Sequence, residues 1–87
     1  MGWVVYILEC RDGTLYTGIT TDLERRLRDH AAGTAAKYTR GRGPLTVRYT
    51  ESTSDRPTAL QREAAIKALP RSAKLALFEQ SPAIPLW

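Results

Sequence analysis

Two apolar runs flank a charged turn at the start of the chain. The first holds Val4, Val5, Tyr6, Ile7 and Leu8, and the second holds Leu15, Tyr16 and Ile19. Valine, isoleucine, tyrosine and tryptophan suit a pleated surface, so Trp3–Cys10 predicts one strand and Thr14–Ile19 a second. Arg11-Asp12-Gly13 joins them and is a hairpin signal. A two-residue loop would put Tyr6 and Tyr16 on opposite faces, because side chains alternate along a strand. A three-residue loop, with Gly13 left-handed, pairs Cys10 with Thr14, Leu8 with Tyr16 and Tyr6 with Gly18. Both tyrosines then share one face, and Gly18 leaves space opposite Tyr6 for a substrate to approach. If the two phenols act together, the longer loop is required.

A helical period follows. Thr21-Asp22-Leu23-Glu24 reads as a capping box with Thr21 as N-cap, and Gly33 as a C-terminal stop. Leu23, Leu27 and Ala31 form the inward stripe, with Arg26 and His30 one helical turn apart beside it. A charge at the rim of a core suits a residue that faces a cleft. The segment "TAAKYTRGRGP", Thr34 to Pro44, has no apolar period and reads as a loop. Leu45–Glu51 alternates as a third strand, with Leu45, Val47 and Tyr49 on one side. Asp55-Arg56-Pro57 opens a second helix that reaches about Leu69. There Ala59, Glu63 and Ile66 share a face, which turns Glu63 inward or toward a cleft. Pro70 breaks the chain, and Ser72 opens a third helix to about Gln80 with Leu75 and Phe78 as core residues. The apolar tail "SPAIPLW" either packs back on the body or meets a protein partner.

Composition narrows the class. The chain has 87 residues, 43% of them hydrophobic and 25% charged, which fits one globular domain. Its lone cysteine, Cys10, cannot staple the fold and suits a reducing, cytoplasmic setting. The N-terminal apolar run is shorter than the roughly 7–15 residues of a signal peptide's core. No stretch reaches the roughly 18 apolar residues of a spanning helix, so no membrane role is expected. The net charge is +4, and no acidic residue lies between Asp29 and Glu51, where Lys37, Arg40, Arg42 and Arg48 fall. Such a one-signed patch suits a polyanion. Tyr38 among the cations adds a ring on which a base can stack.

The motifs "VVYIL", "YTG", "TTDLERRLRDH", "KYTRGRGP" and "REAAIKALPRSAK", in that order, resemble the GIY-YIG nuclease domain, most of all its small stand-alone bacterial branch. The resemblance covers about Val4 to Leu77. It implies an α/β (α+β) fold, with a three-stranded antiparallel sheet flanked by helices in the order ββαβαα. Residues 1–80 would then be one nuclease domain and 81–87 a tail. Residue by residue, the resemblance puts catalytic roles on Tyr6, Tyr16, Arg26, His30 and Glu63, with Glu63 as the metal ligand. Lys37, Tyr38, Arg40, Arg42 and Lys67 are the nucleic-acid-binding candidates. Departures are Val4-Val5-Tyr6 for the first tripeptide, a threonine in Tyr16-Thr17-Gly18, and the lack of any asparagine. Many members use an asparagine near the end of the domain to hold phosphate, so either Lys67 or Lys74 fills that role or the chemistry is weaker.

The chemistry implied is metal-dependent cleavage of DNA, of which DNA repair is one setting. A single Mg²⁺ or Mn²⁺ on Glu63 would complete its shell with waters and phosphate oxygens. Arg26 would pair with the phosphate. Tyr6 is the candidate general base, which requires a neighbour to lower a phenol pKa of about 10. Tyr16 orients the water or the phosphate, or exchanges roles with Tyr6. Single-stranded, branched or damaged DNA, and RNA, all stay open as substrates. The alternative is a binding module of the same fold that does not cut. Taken singly, each residue has an ordinary reading: sheet tyrosines, a snorkelling arginine, a core-edge histidine and a helical ion-pair glutamate.

Overall fold

The computed structural model describes residues 2–33, 44–80 and 84–86. The first apolar run forms β1 (Trp3–Glu9), in which Val5, Tyr6, Ile7 and Leu8 are all buried. With β2 (Leu15–Thr20), β3 (Leu45–Thr53) and β4 (Ile84–Leu86), it builds an antiparallel sheet of order β2-β1-β3-β4. An inner strand covered on both faces has no side to give to solvent, so its sequence is almost wholly apolar. One layer is α1 (Leu23–Ala32), whose Leu23 and Leu27 pack on Tyr6, Leu8, Cys10, Leu45 and Val47. The other is α2 (Arg56–Lys67), α3 (Arg71–Leu77) and a closing 3-10 turn, Phe78–Gln80. There Ala59, Ile66 and Phe78 pack on Val5, Ile7 and Tyr49.

The ββαβαα order and the three-stranded antiparallel core are as expected. β4 adds a short fourth strand on the β3 edge, pairing Leu86 with Leu45 and Ile84 with Val47. The tail therefore returns to the body through its backbone. One helix stop and one helix start also hold. Gly33 caps α1 at φ 79°, a left-handed value natural only to glycine. Asp55 caps α2 by accepting the Thr58 N–H at 2.9 Å.

Three local expectations change. The N-cap of α1 is Asp22, not Thr21: its carboxylate accepts the Arg25 N–H at 3.1 Å and brings a negative charge to the helix N-terminus. β3 contains a bulge. Ile7 faces Tyr49 while Leu8 faces Val47, so Arg48 is an extra residue. The bulge sends Leu45 and Val47 to the α1 face and Tyr49 to the opposite one. Arg48 lies 4.9 Å from the Phe78 ring centre and 3.6 Å from Glu9, its side chain one-third exposed. Lastly, Phe78 is core but Leu75 is 41% exposed, because α3 is only seven residues long and its chain then tightens into the 3-10 turn.

A clamp fixes α2 on the sheet. Arg62 donates to both carboxylate oxygens of Glu51, at 2.6 and 2.9 Å, and Tyr49 donates to Glu51 at 2.8 Å. Bidentate geometry of this kind resists rotation of the helix about its axis. Among the described residues, no helix is long and apolar enough to cross a membrane.

Candidate active site

The hairpin turn decides where the tyrosines go. Cys10 N–H donates to Thr14 O and Gly13 N–H to Cys10 O, both at 2.9 Å, and Gly13 has φ 85°. This is the three-residue loop, and the register below it pairs Tyr6 with Gly18 and Leu8 with Tyr16. Both phenols therefore face α1, with ring centres 6.3 Å apart. The space opposite Tyr6 is not left for a substrate. A Cβ on Gly18 would lie 2.7 Å from the Tyr6 hydroxyl oxygen and 3.0 Å from the Tyr16 ring, so the tyrosines themselves fill it.

His30 completes the cluster from α1. Its Nε2 lies 2.8 Å from the Tyr6 hydroxyl, and its ring meets Tyr6 and Tyr16 edge-on at 5.7 and 5.1 Å. His30 is buried, and burial together with the Arg26 charge lowers its pKa from 6.5 to about 4. Tyr6 is also fully buried. Its pKa is raised well above the ordinary tyrosine value, first by burial, then by the charge of Tyr16, with Glu63 and a hydrogen bond to Tyr16 adding to the rise and Arg26 opposing it. The expected lowering of the Tyr6 pKa is thus reversed: desolvation outweighs the charge of Arg26.

These couplings bring Arg26 and Glu63 within electrostatic reach of Tyr6. Glu63 comes from the α2 layer, whereas Tyr6 faces α1. β2 is an edge strand, so only its rim lies between the two layers there. A pocket of about 270 Å³ wraps that rim, lined by Leu15, Tyr16, Thr17, Lys67 and Lys74. Lys67 in turn lies 3.6 Å from Glu63, one helical turn away. A second groove of about 320 Å³ is lined by Thr20, Thr21, Asp22, Arg25, Arg26 and Asp29. Arg26 lines one groove and Tyr16 the other, with Tyr6 and His30 buried.

Glu63 offers a hard oxygen donor, its side chain 20% exposed, and it fits one divalent ion with a water-rich shell. Among the described residues no three His, Cys, Asp or Glu side chains cluster as a metal cage. Lys37, Tyr38, Arg40 and Arg42 lie outside the described residues. Lys74, named from the sequence only as a stand-in for the missing asparagine, lines the rim pocket beside Lys67.

The titration of His30 leads to a stability prediction. The unfolded chain takes up a proton near 6.5 and the folded one only near 4. Between those values the unfolded state binds more protons, so stability is full above pH 6.5 and falls as the pH drops toward 4. The loss is on the order of 2–3 kcal/mol. Urea unfolding across this range measures it, and His30→Gln, which has no proton to take up, flattens the dependence.

Fold and site together define a small antiparallel α/β protein whose edge hairpin packs two tyrosines on a helix-borne histidine. A family model described as the GIY-YIG catalytic domain matches residues 2–76, and the chain belongs to this family. It is a nuclease family, whose members generally use a divalent metal and a nucleic-acid substrate. A UPF0213 protein of Halobacterium salinarum is 57% identical, the match covering 85% of this chain and 96% of that protein. One from Oceanobacillus iheyensis is 55% identical, over 86% of this chain and 87% of its own. The solution structure of a UPF0213 protein from Bacillus halodurans aligns with a TM-score of 0.60 at 46% identity, covering 93% of this chain and 86% of that one. That of a protein from E. faecalis aligns at 0.64 and 40%, covering 92% and 85%.

Proposed function

We propose that the protein is an endonuclease that hydrolyses DNA phosphodiester bonds with one divalent ion, Mg²⁺ or Mn²⁺, held by Glu63. The observation that supports this most is the joint placement of five groups. Two phenols and an imidazole touch one another, and the charges of Arg26 and Glu63 both act on the same buried hydroxyl.

Accessibility divides the two tyrosines. Tyr6 is 1% exposed, so an attacking water does not reach it, whereas Tyr16 is only half-buried and is among the residues that line the rim pocket. Tyr16, as its phenolate, is therefore our general base: its oxygen takes the water's proton as the water oxygen bonds to phosphorus and the bond from phosphorus to the leaving sugar oxygen breaks, that oxygen then taking a proton from solvent water. Tyr6 supports it. With His30 as the Nε2–H tautomer, the imidazole donates to the Tyr6 oxygen and the Tyr6 O–H donates to Tyr16, stabilising negative charge there. Chains of this kind polarise one another. Arg26 pairs with the phosphate as charge builds on its oxygens. A bound ion would supply Lewis-acid stabilisation of the same charge. Residues 1–80 act as the nuclease domain, the 81–87 tail leaning on it through β4, in a reducing cytoplasm that suits the buried free Cys10.

The test is a cleavage panel of duplex, single-stranded, branched and damaged DNA, and RNA, with Mg²⁺, Mn²⁺ or a chelator. We expect DNA cutting with either ion and none with the chelator. Cutting in the chelator overturns the mechanism. Binding without cutting on every substrate favours the non-cleaving module.

A further inference from the structure

The rim of β2 carries features that the cleavage chemistry does not use. In an antiparallel pair, hydrogen-bonded and non-hydrogen-bonded residues alternate. Cys10 and Thr14 are a bonded pair, so Leu8–Tyr16 and Tyr6–Gly18 are bonded as well. Leu15 and Thr17, opposite Glu9 and Ile7, fall between them. Their backbone N–H groups point away from β1, out of the sheet's open edge. The rim pocket is lined by these same two residues, with Tyr16, Lys67 and Lys74 and no carboxylate. α3 gives Lys74 to it, carries Arg71 one turn earlier and has no acidic residue. At the turn, Arg71 Nη2 lies 3.8 Å from where a Gly13 Cβ would sit. Cations thus run along the rim from Tyr16, past Lys67 and Lys74, to Arg71 at the hairpin turn.

Resting on the nuclease reading, we infer that this rim is a phosphate track: it seats the backbone phosphate next to the one being cut, with Arg71 taking the one beyond. Two ammonium groups and two outward N–H donors are the ingredients of an oxyanion site. The series of cations follows a strand rather than enclosing a single ion. The track would fix how the strand crosses Tyr16 without reading its bases.

The experiment measures affinity for fluorescein-labelled DNA, duplex and single-stranded, against salt concentration, with a chelator present so that nothing is cut. Each neutralised contact lowers the slope of log K on log[salt] by about 0.7–0.9. Lys74→Ala and Arg71→Ala should each show that drop, and Lys74→Arg should restore it. Melting curves verify that the variants fold. Unchanged slopes in both variants, or no binding of either DNA by the unaltered protein, overturn the track. Unchanged slopes in a protein that cuts DNA leave the nuclease reading standing. Reduced slopes in a protein that never cuts leave the track standing and end the nuclease reading.

Discussion

Glu63→Gln lowers DNA cleavage by about 10²–10³-fold, the loss typical of one transition-state charge stabiliser, while the melting temperature moves by no more than a few degrees. The argument rests on what Glu63 does for the fold. Among the described residues its carboxylate makes one ion pair, to Lys67 at 3.6 Å, and Lys67 is more than half exposed. An exposed helical pair one turn apart is worth about 0.3–0.5 kcal/mol. The helix is held elsewhere, by buried Ala59 and Ile66 and by the Arg62–Glu51 clamp. A structural role therefore predicts a small loss of stability and no loss of cutting. A catalytic role predicts the reverse. Thermal melts and cleavage rates on one preparation separate the two, and equal cutting by Glu63→Gln removes Glu63 from the mechanism.

Gly18→Ala acts from the opposite direction, by adding a single methyl group. That carbon would sit 2.7 Å from the Tyr6 hydroxyl oxygen and 2.8 Å from the ring carbon bearing it. Tyr6 cannot swing aside easily, because it is fully buried and its hydroxyl is tied to His30 at 2.8 Å. Overpacking of this kind costs about 1–3 kcal/mol. In a domain of this size each of these lowers the melting temperature by about 4–8 °C. If the phenol chain supports Tyr16 as base, cleavage falls as well, on the order of 10²-fold for a misplacement near 1 Å. DNA affinity in chelator stays near its original value, since the rim cations are untouched. A stable Gly18→Ala variant with full activity would mean that Tyr6 takes no part.

Much of this was legible in the primary structure because it depends on local signals. The Gly13 turn, once its length is chosen, settles which face Tyr16 takes. The period of α1 places Arg26 and His30 beside Leu27, and that of α2 places Glu63 beside Ile66. What escaped depends on partners far along the chain. Period-two alternation cannot reveal the bulge at Arg48, so Tyr49 was placed with Val47 when it packs on the other face. β4 needs the edge of β3 to exist, and three residues of it carry too little pattern by themselves. The family resemblance makes Tyr6 a candidate base, its pKa to be lowered by Arg26, a metal or His30. Only the depth of burial reveals that desolvation wins and that Tyr16 is the tyrosine that lines a pocket.

Among the described residues the outer edge of β2 pairs with no further strand, which has a consequence for the protein's life at high concentration. It invites pairing with any other extended chain, another copy included, and such growth ends in aggregates. Lysine is a usual guard against this. A second molecule approaching rim to rim would bring its own Lys67, Lys74 and Arg71 against the first set, and like charges would push the two apart. The same row that welcomes a polyanion would thus keep the protein in solution.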